Sequence, residues 1–140
     1  MTVTYGDHVP GDDYMPRFSD GRPMFVGLKG EALTARESGK LLADCKKRRI
    51  GKTIIRYRGK VTLISTVFLV LDHGFMSTEL YETMVFGGSV DGYQERYATR
   101  REAKAGHRSV ARAVRIVADA QDRIRARRRR MHANYRARKA

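Results

Sequence analysis

Two hydrophobic periods alternate along the chain. Thr34-Ala35-Arg36-Glu37 fits a capping box, in which a hydroxyl and a carboxylate satisfy free N–H groups reciprocally. A helix to about Arg49 is expected to follow, with Leu41, Leu42 and Cys45 on one side and Gly51 as its stop. Strand chemistry takes over at Thr53-Ile54-Ile55-Arg56-Tyr57, and Arg58-Gly59-Lys60 reads as a hairpin turn. Val61 to Leu71 is a second, longer strand, apolar on both faces near its end. Asp72 to Thr78 turns the chain. Glu79 to Phe86 then sets Leu80, Glu82, Met84 and Phe86 against Tyr81, Thr83 and Val85, the period of two that suits a strand. Gly87 to Gly92 is a turn, and Tyr93 to Tyr97 adds an edge strand.

Thr99-Arg100-Arg101-Glu102 is a second capping box, and it opens the clearest pattern in the chain. Ala103, His107, Val110, Val114, Val117, Gln121, Ile124, Arg128, Met131 and Tyr135 follow a 4-3 spacing. The stripe is apolar to Val117 and fades afterwards. A helix over residues 100–139 would span about 60 Å at 1.5 Å per residue. A body of roughly 95 residues has a radius of gyration near 12 Å. Half of the helix must therefore run off the body.

Before residue 31 the chain mixes Gly, Pro and Asp, which predicts loops, with Met24 to Leu28 a short strand or a cover for the core. The expected organisation is a loop-rich segment over 1–30, a core domain over 31–120 and an arginine-rich helical tail over 121–140. The fold class is α+β: an antiparallel sheet of three or four strands, helices on one face, and a long C-terminal helix. No stretch reaches the roughly 20 apolar residues of a membrane span, and the first residues lack the basic start and apolar run of a secretory signal. Cys45 is the sole cysteine, which excludes an internal disulfide and suits a reducing, cytoplasmic setting. It reads as a half-buried helix residue, with four basic neighbours from Lys46 to Arg49.

The net charge of +14 is distributed unevenly. Residues 61–95 contain five acids and no Lys or Arg, whereas residues 96–140 carry sixteen basic against three acidic side chains. Such polarity points to a polyanion, with nucleic acid the commonest. The expected contacts are Arg123, Arg125, Arg127, Arg128, Arg129 and Arg130 in the tail, with Arg100, Arg101 and Lys104 at the helix start. Lys46 to Arg49 would form a third patch. Arginine suits phosphate because its planar fork donates two parallel hydrogen bonds. Four successive arginines point to nearly every side of a helix, so the tail should fray alone and gain order on its partner. An acidic protein surface is the alternative partner, and the 4-3 stripe also permits a homo-oligomer.

Asp72, His73, Glu82 and His107 are the only residues in a combination suited to chemistry, as metal ligands or as a base with its orienting acid. No two-histidine metal spacing lies within one element, and no nucleophile sits beside a base. His107 falls on the apolar stripe, where a satisfied core histidine is the simpler explanation. No catalytic residue, metal or other cofactor is therefore expected. A small-nucleotide pocket or a metal-dependent enzyme stands as a second alternative; Gly87-Gly88 with Gly92 is adequately explained by a turn.

Two resemblances bear on this reading. Arg100-Arg101-Glu102-Ala103-Lys104 after a sheet is similar to the basic helix start of the double-stranded-RNA-binding domain, and the helix–strands–helix order matches its layout. In that family these amines bridge phosphates. Ser65 to His73, Glu82 to Gly88, Arg96 to Thr99 and Ala105-Gly106-His107 resemble a family of short actinobacterial phage and prophage proteins without an assigned activity. That resemblance runs from about Asp20 to Arg115 and implies a phage origin, and so a bacterial host, but no function. Joined to the charge pattern, it gives the expectation of a phage-encoded, non-catalytic accessory protein that binds nucleic acid. The arginine-rich extension lies outside it.

Overall fold

A computed structural model describes Gly11 and residues 13–139; the reading of the first ten residues lies outside them. The elements run α1 (Ala35–Ala43), α2 (Cys45–Arg48), β1 (Arg49–Tyr57), β2 (Lys60–Phe68), β3 (Tyr81–Phe86), β4 (Gln94–Tyr97) and α3 (Arg100–Lys139). The strands form one antiparallel meander in the order β1-β2-β3-β4. The expected α+β class holds, with four strands rather than three.

Register decides what each face carries, because partners across an antiparallel pair share a face. Thr53, Ile64 and Val85 stand in one cross-strand row, and Thr66 pairs with Thr83 in the next. This face is covered. Ile64 and Val85 pack with Val110, Ala111 and Val114 of α3. At the other end of the same face, Phe68 and Val70 pack with Leu33, Phe25 and Leu41. The opposite face carries Ile54, Leu63 and Phe86 in one row, and Ile54 and Phe86 are exposed there.

The β1–β2 hairpin closes through Arg58 and Gly59, both left-handed at φ 47° and 76°. Positive φ at both positions matches the twist of the flanking strands. The second strand stops earlier than its apolar run. Val70 has φ 70° and a fully buried side chain, a costly backbone for a β-branched residue. Its carbonyl accepts from Val26 N at 2.8 Å, and Phe25 bridges Leu71. Met24 to Leu28 thus acts mainly as a cover for the core.

Two expectations about the first helix need correction. It is broken at Asp44, whose side chain accepts from Lys47 N and caps the single turn of α2. A competing N-cap ends α1, so the helix does not continue to Arg49, and Gly51 lies inside β1 at a register shift. Leu41 packs inward, but Leu42 and Cys45 are exposed, and Ser38 is the buried residue of α1. The Thr34–Glu37 capping box is present, with Thr34 N donating to Glu37 at 2.9 Å.

α3 crosses the covered face, and two glycines let it sit close. A Cβ at Gly106 would run into the Tyr97 hydroxyl, and one at Gly51 would come within 2.9 Å of the His107 ring, so any larger residue at either place forces its neighbour to shift.

Candidate nucleic-acid interface

The helix start is fixed as expected: Thr99 N donates to Glu102 at 3.0 Å, and Glu102 N donates to Thr99 Oγ1 at 3.2 Å. Ala103, Val110, Ala111 and Val114 are buried, Val117, Gln121 and Asp122 are partly so, and everything from Arg123 to Lys139 is exposed. Two contacts hold α3 where it leaves the sheet. Gln121 Nε2 donates to Ser89 Oγ at 2.9 Å, and Arg58 Nε donates to Asp122 Oδ1 at 2.7 Å. About 25 Å of helix then projects from the body, at 1.5 Å per residue. The structure keeps this arm helical to Lys139, as the high helix propensity of Arg and Ala favours.

The basic side chains of α3 are ordered by the helix itself. Arg101, Lys104, Arg108, Arg112 and Arg115 recur every three or four residues, and all are exposed. At about 100° per residue they fall, with Arg123 and Arg130, within an arc of about 100° opposite Ala103, Val110 and Val114. The ridge runs about 44 Å from Arg101 to Arg130 at 1.5 Å per residue. Asp119 lies on it, and Asp122, bonded by Arg58, lies at its edge in line with Lys104. None of the seven cations makes an ion pair among the described residues. Each like-charge neighbour at i,i+3 or i,i+4 costs about 0.2–0.5 kcal/mol, so this row disfavours the free helix.

All nine expected contacts are exposed on α3. Arg101, Lys104, Arg123 and Arg130 lie on the ridge. Arg127, Arg128 and Arg129 are spread around the arm, Arg125 sits at its root and Arg100 lies at the edge of the start. Arg108, Arg112 and Arg115 are not among the expected contacts; their four- and three-residue spacing is the sequence signal for them, on the same helix as the apolar stripe.

The third patch is partly structural. Arg48 donates through Nε to Phe68 O at 2.9 Å and through a terminal nitrogen to Leu42 O at 2.8 Å, tying α2 to the sheet. Lys46, Lys47 and Arg49 are exposed at the end of the sheet where α3 begins.

Asp72, His73, Glu82 and His107 do not converge. Glu82 shares a row with Val67 on the open face, where it accepts from Arg96 Nε at 3.0 Å. His107 lies under α3 on the covered face. Asp72 is buried and organises its own loop, accepting from Gly74 N and Glu79 N at 2.9 Å and from Arg22 at 3.2 Å. His73 is exposed beside it. Among the described residues no cluster of three or more His, Cys, Asp or Glu has metal-holding geometry.

His107 instead links helix to sheet. Its Nδ1 lies 2.7 Å from Thr66 Oγ1 and its Nε2 2.9 Å from Thr53 Oγ1, while Thr66 and Thr83 share a 2.6 Å hydrogen bond. A neutral imidazole donates once and accepts once, and two hydroxyls satisfy both roles. Burial lowers the His107 pKa. Nearby, burial pushes the Tyr97 phenol up to about 12, with its bond to Glu95 also raising it and one to Thr83 opposing.

No described helix is long and apolar enough to cross a membrane. Comparison with protein-family models, with curated proteins and with solved structures yields no match for this chain.

Proposed function

We propose that this chain is a non-catalytic accessory protein that binds nucleic acid along α3, in keeping with its resemblance to short phage proteins. The observation that carries the reading is the row of seven cations on the outward face of α3 without an ion pair among the described residues, continuing into an arm whose side chains are all exposed from Arg123 to Lys139. A repulsive row facing solvent is relieved by a polyanion, whose displaced counterions supply the binding free energy. Phosphate contacts of this type position a strand without reading its sequence, so the expected binding is strong in charge and weak in base preference. The Arg123–Arg130 segment reaches beyond the body, and the Arg101–Arg115 segment lies along it.

A mobility-shift assay with duplex and single-stranded RNA and DNA tests the reading. The chain ending at Asp122 keeps the packed part of α3 and both contacts at the point where it leaves the sheet, so loss of affinity in that variant reports on the arm. Binding of equal strength with and without the arm would refute its role.

One observation favours a protein partner instead. Ile124, Met131 and Tyr135 are 54%, 63% and 59% exposed and continue the 4-3 stripe along the arm. An acidic amphipathic helix would cover them while neutralising the arginines. In that case an acidic protein co-purifies, and nucleic acid binds weakly whether or not the arm is present.

A further inference from the structure

Where α3 leaves the sheet, between the β1–β2 turn and the β3–β4 turn, lies a cavity of about 280 Å³. Its floor is apolar, formed by Ile55, Val90 and Val114. Its wall is cationic and polar, with Lys60 and Arg125 on it. Neither makes an ion pair among the described residues, although Arg125 is attracted by Asp122 at longer range, whereas Arg58 beside them is bonded to Asp122. Tyr57 also lines the cavity, with its hydroxyl shielded from solvent and directed at Asp122.

An apolar floor beside two cations that lie outside any ion pair suits a ligand that is apolar at one end and anionic at the other. The volume is at the small end of ligand sites. From these features we propose that the cavity takes a nucleoside monophosphate, with the base on Ile55 and Val90 and the phosphate at Lys60 and Arg125. The same chemistry comes from a free nucleotide or from the phosphorylated end of a strand lying along the arm. The second source rests on the nucleic-acid reading above; the first does not.

The experiment uses the full chain and calorimetry. Adenosine and uridine monophosphates are titrated alongside inorganic phosphate and the uncharged nucleosides, and against Lys60→Ala and Ala118→Phe. Ala118 lines the cavity, so phenylalanine fills it, while Lys60 is exposed and its truncation leaves the fold intact. Oligonucleotides with a phosphate at the 5′ end, at the 3′ end or at neither are then compared. For a free nucleotide, a monophosphate binds at least tenfold tighter than phosphate or nucleoside alone, Lys60→Ala weakens it at least tenfold, and strand ends make no difference. For a strand end, one phosphorylated strand binds at least threefold tighter than the bare strand, and Lys60→Ala removes that difference. Absence of both effects, or effects indifferent to both variants, overturns the proposal. Affinity for the bare strand reports on the α3 ridge separately, so the two readings fail independently.

Discussion

Arg58 and Asp122 stand 64 residues apart in the chain and meet at 2.7 Å where α3 leaves the sheet. The Tyr57 hydroxyl beside Asp122 and the Arg58 guanidinium hold its carboxyl below the ordinary carboxylate range. Beyond this pair α3 packs on none of the described residues, so the contact separates the packed part of the helix from the arm. Asp122→Asn and Arg58→Ala should each speed amide exchange over about residues 118–130 while leaving the strands protected. Unchanged protection there would mean that the pair does not hold the helix.

The packed part rests on Val114, which is buried with Ile64, Val85, Val110 and Ala111. Val114→Asp places an unpaired carboxylate among them and should cost several kcal/mol. Thermal or urea unfolding checks this, and a midpoint equal to the parent's would contradict the packing.

His107 makes stability depend on pH. Its pKa is lowered in the folded chain by burial, so the unfolded chain binds the proton more readily. The stabilisation is therefore present above the ordinary histidine value of about 6.5 and is lost as pH falls below it. Urea midpoints should drop from pH 7.5 to pH 5.5 in the parent, and less in His107→Gln. Equal drops in both proteins would assign the effect to other groups.

Most elements were legible from the chain because their local signals agree with their packing. The Thr99–Glu102 box and the 4-3 stripe specify α3 to within a residue, and the alternation of Glu79 to Phe86 locates β3. The failures arise where local signals compete. Asp44 caps a new turn inside an apparently continuous helix, and Val70 leaves the strand although its side chain is strand-like, because Val26 bonds its carbonyl. The candidate chemistry dissolves for a register reason: a strand's period of two sends Glu82 to the open face and Thr83 toward His107. The tail was legible as charge. The ridge from Arg101 to Arg115 was legible only once the buried side of α3 was known, since its face is defined by opposition. The cavity depends on two turns and a helix meeting, which no local pattern encodes.

The ridge should act as a unit. Replacing Arg108, Arg112 and Arg115 together with glutamine should reduce the slope of log affinity against log salt by about two to three on duplex DNA, at roughly 0.9 per phosphate contact. Stability should hold or rise slightly, since like-charge neighbours are removed from the helix. A lowered melting temperature with an unchanged slope would make these arginines structural.

The central claim is that the exposed cations of α3 neutralise phosphates, and the salt dependence of binding tests it most directly. In the full chain, Arg123, Arg125, Arg127, Arg128, Arg129 and Arg130 are changed together to glutamine, which keeps the helix propensity and removes six charges. If the arm contacts phosphates with all six, the slope of log affinity against log salt on duplex DNA becomes shallower by about 5, and affinity at low salt collapses. The same affinity and the same slope in parent and variant would contradict the account.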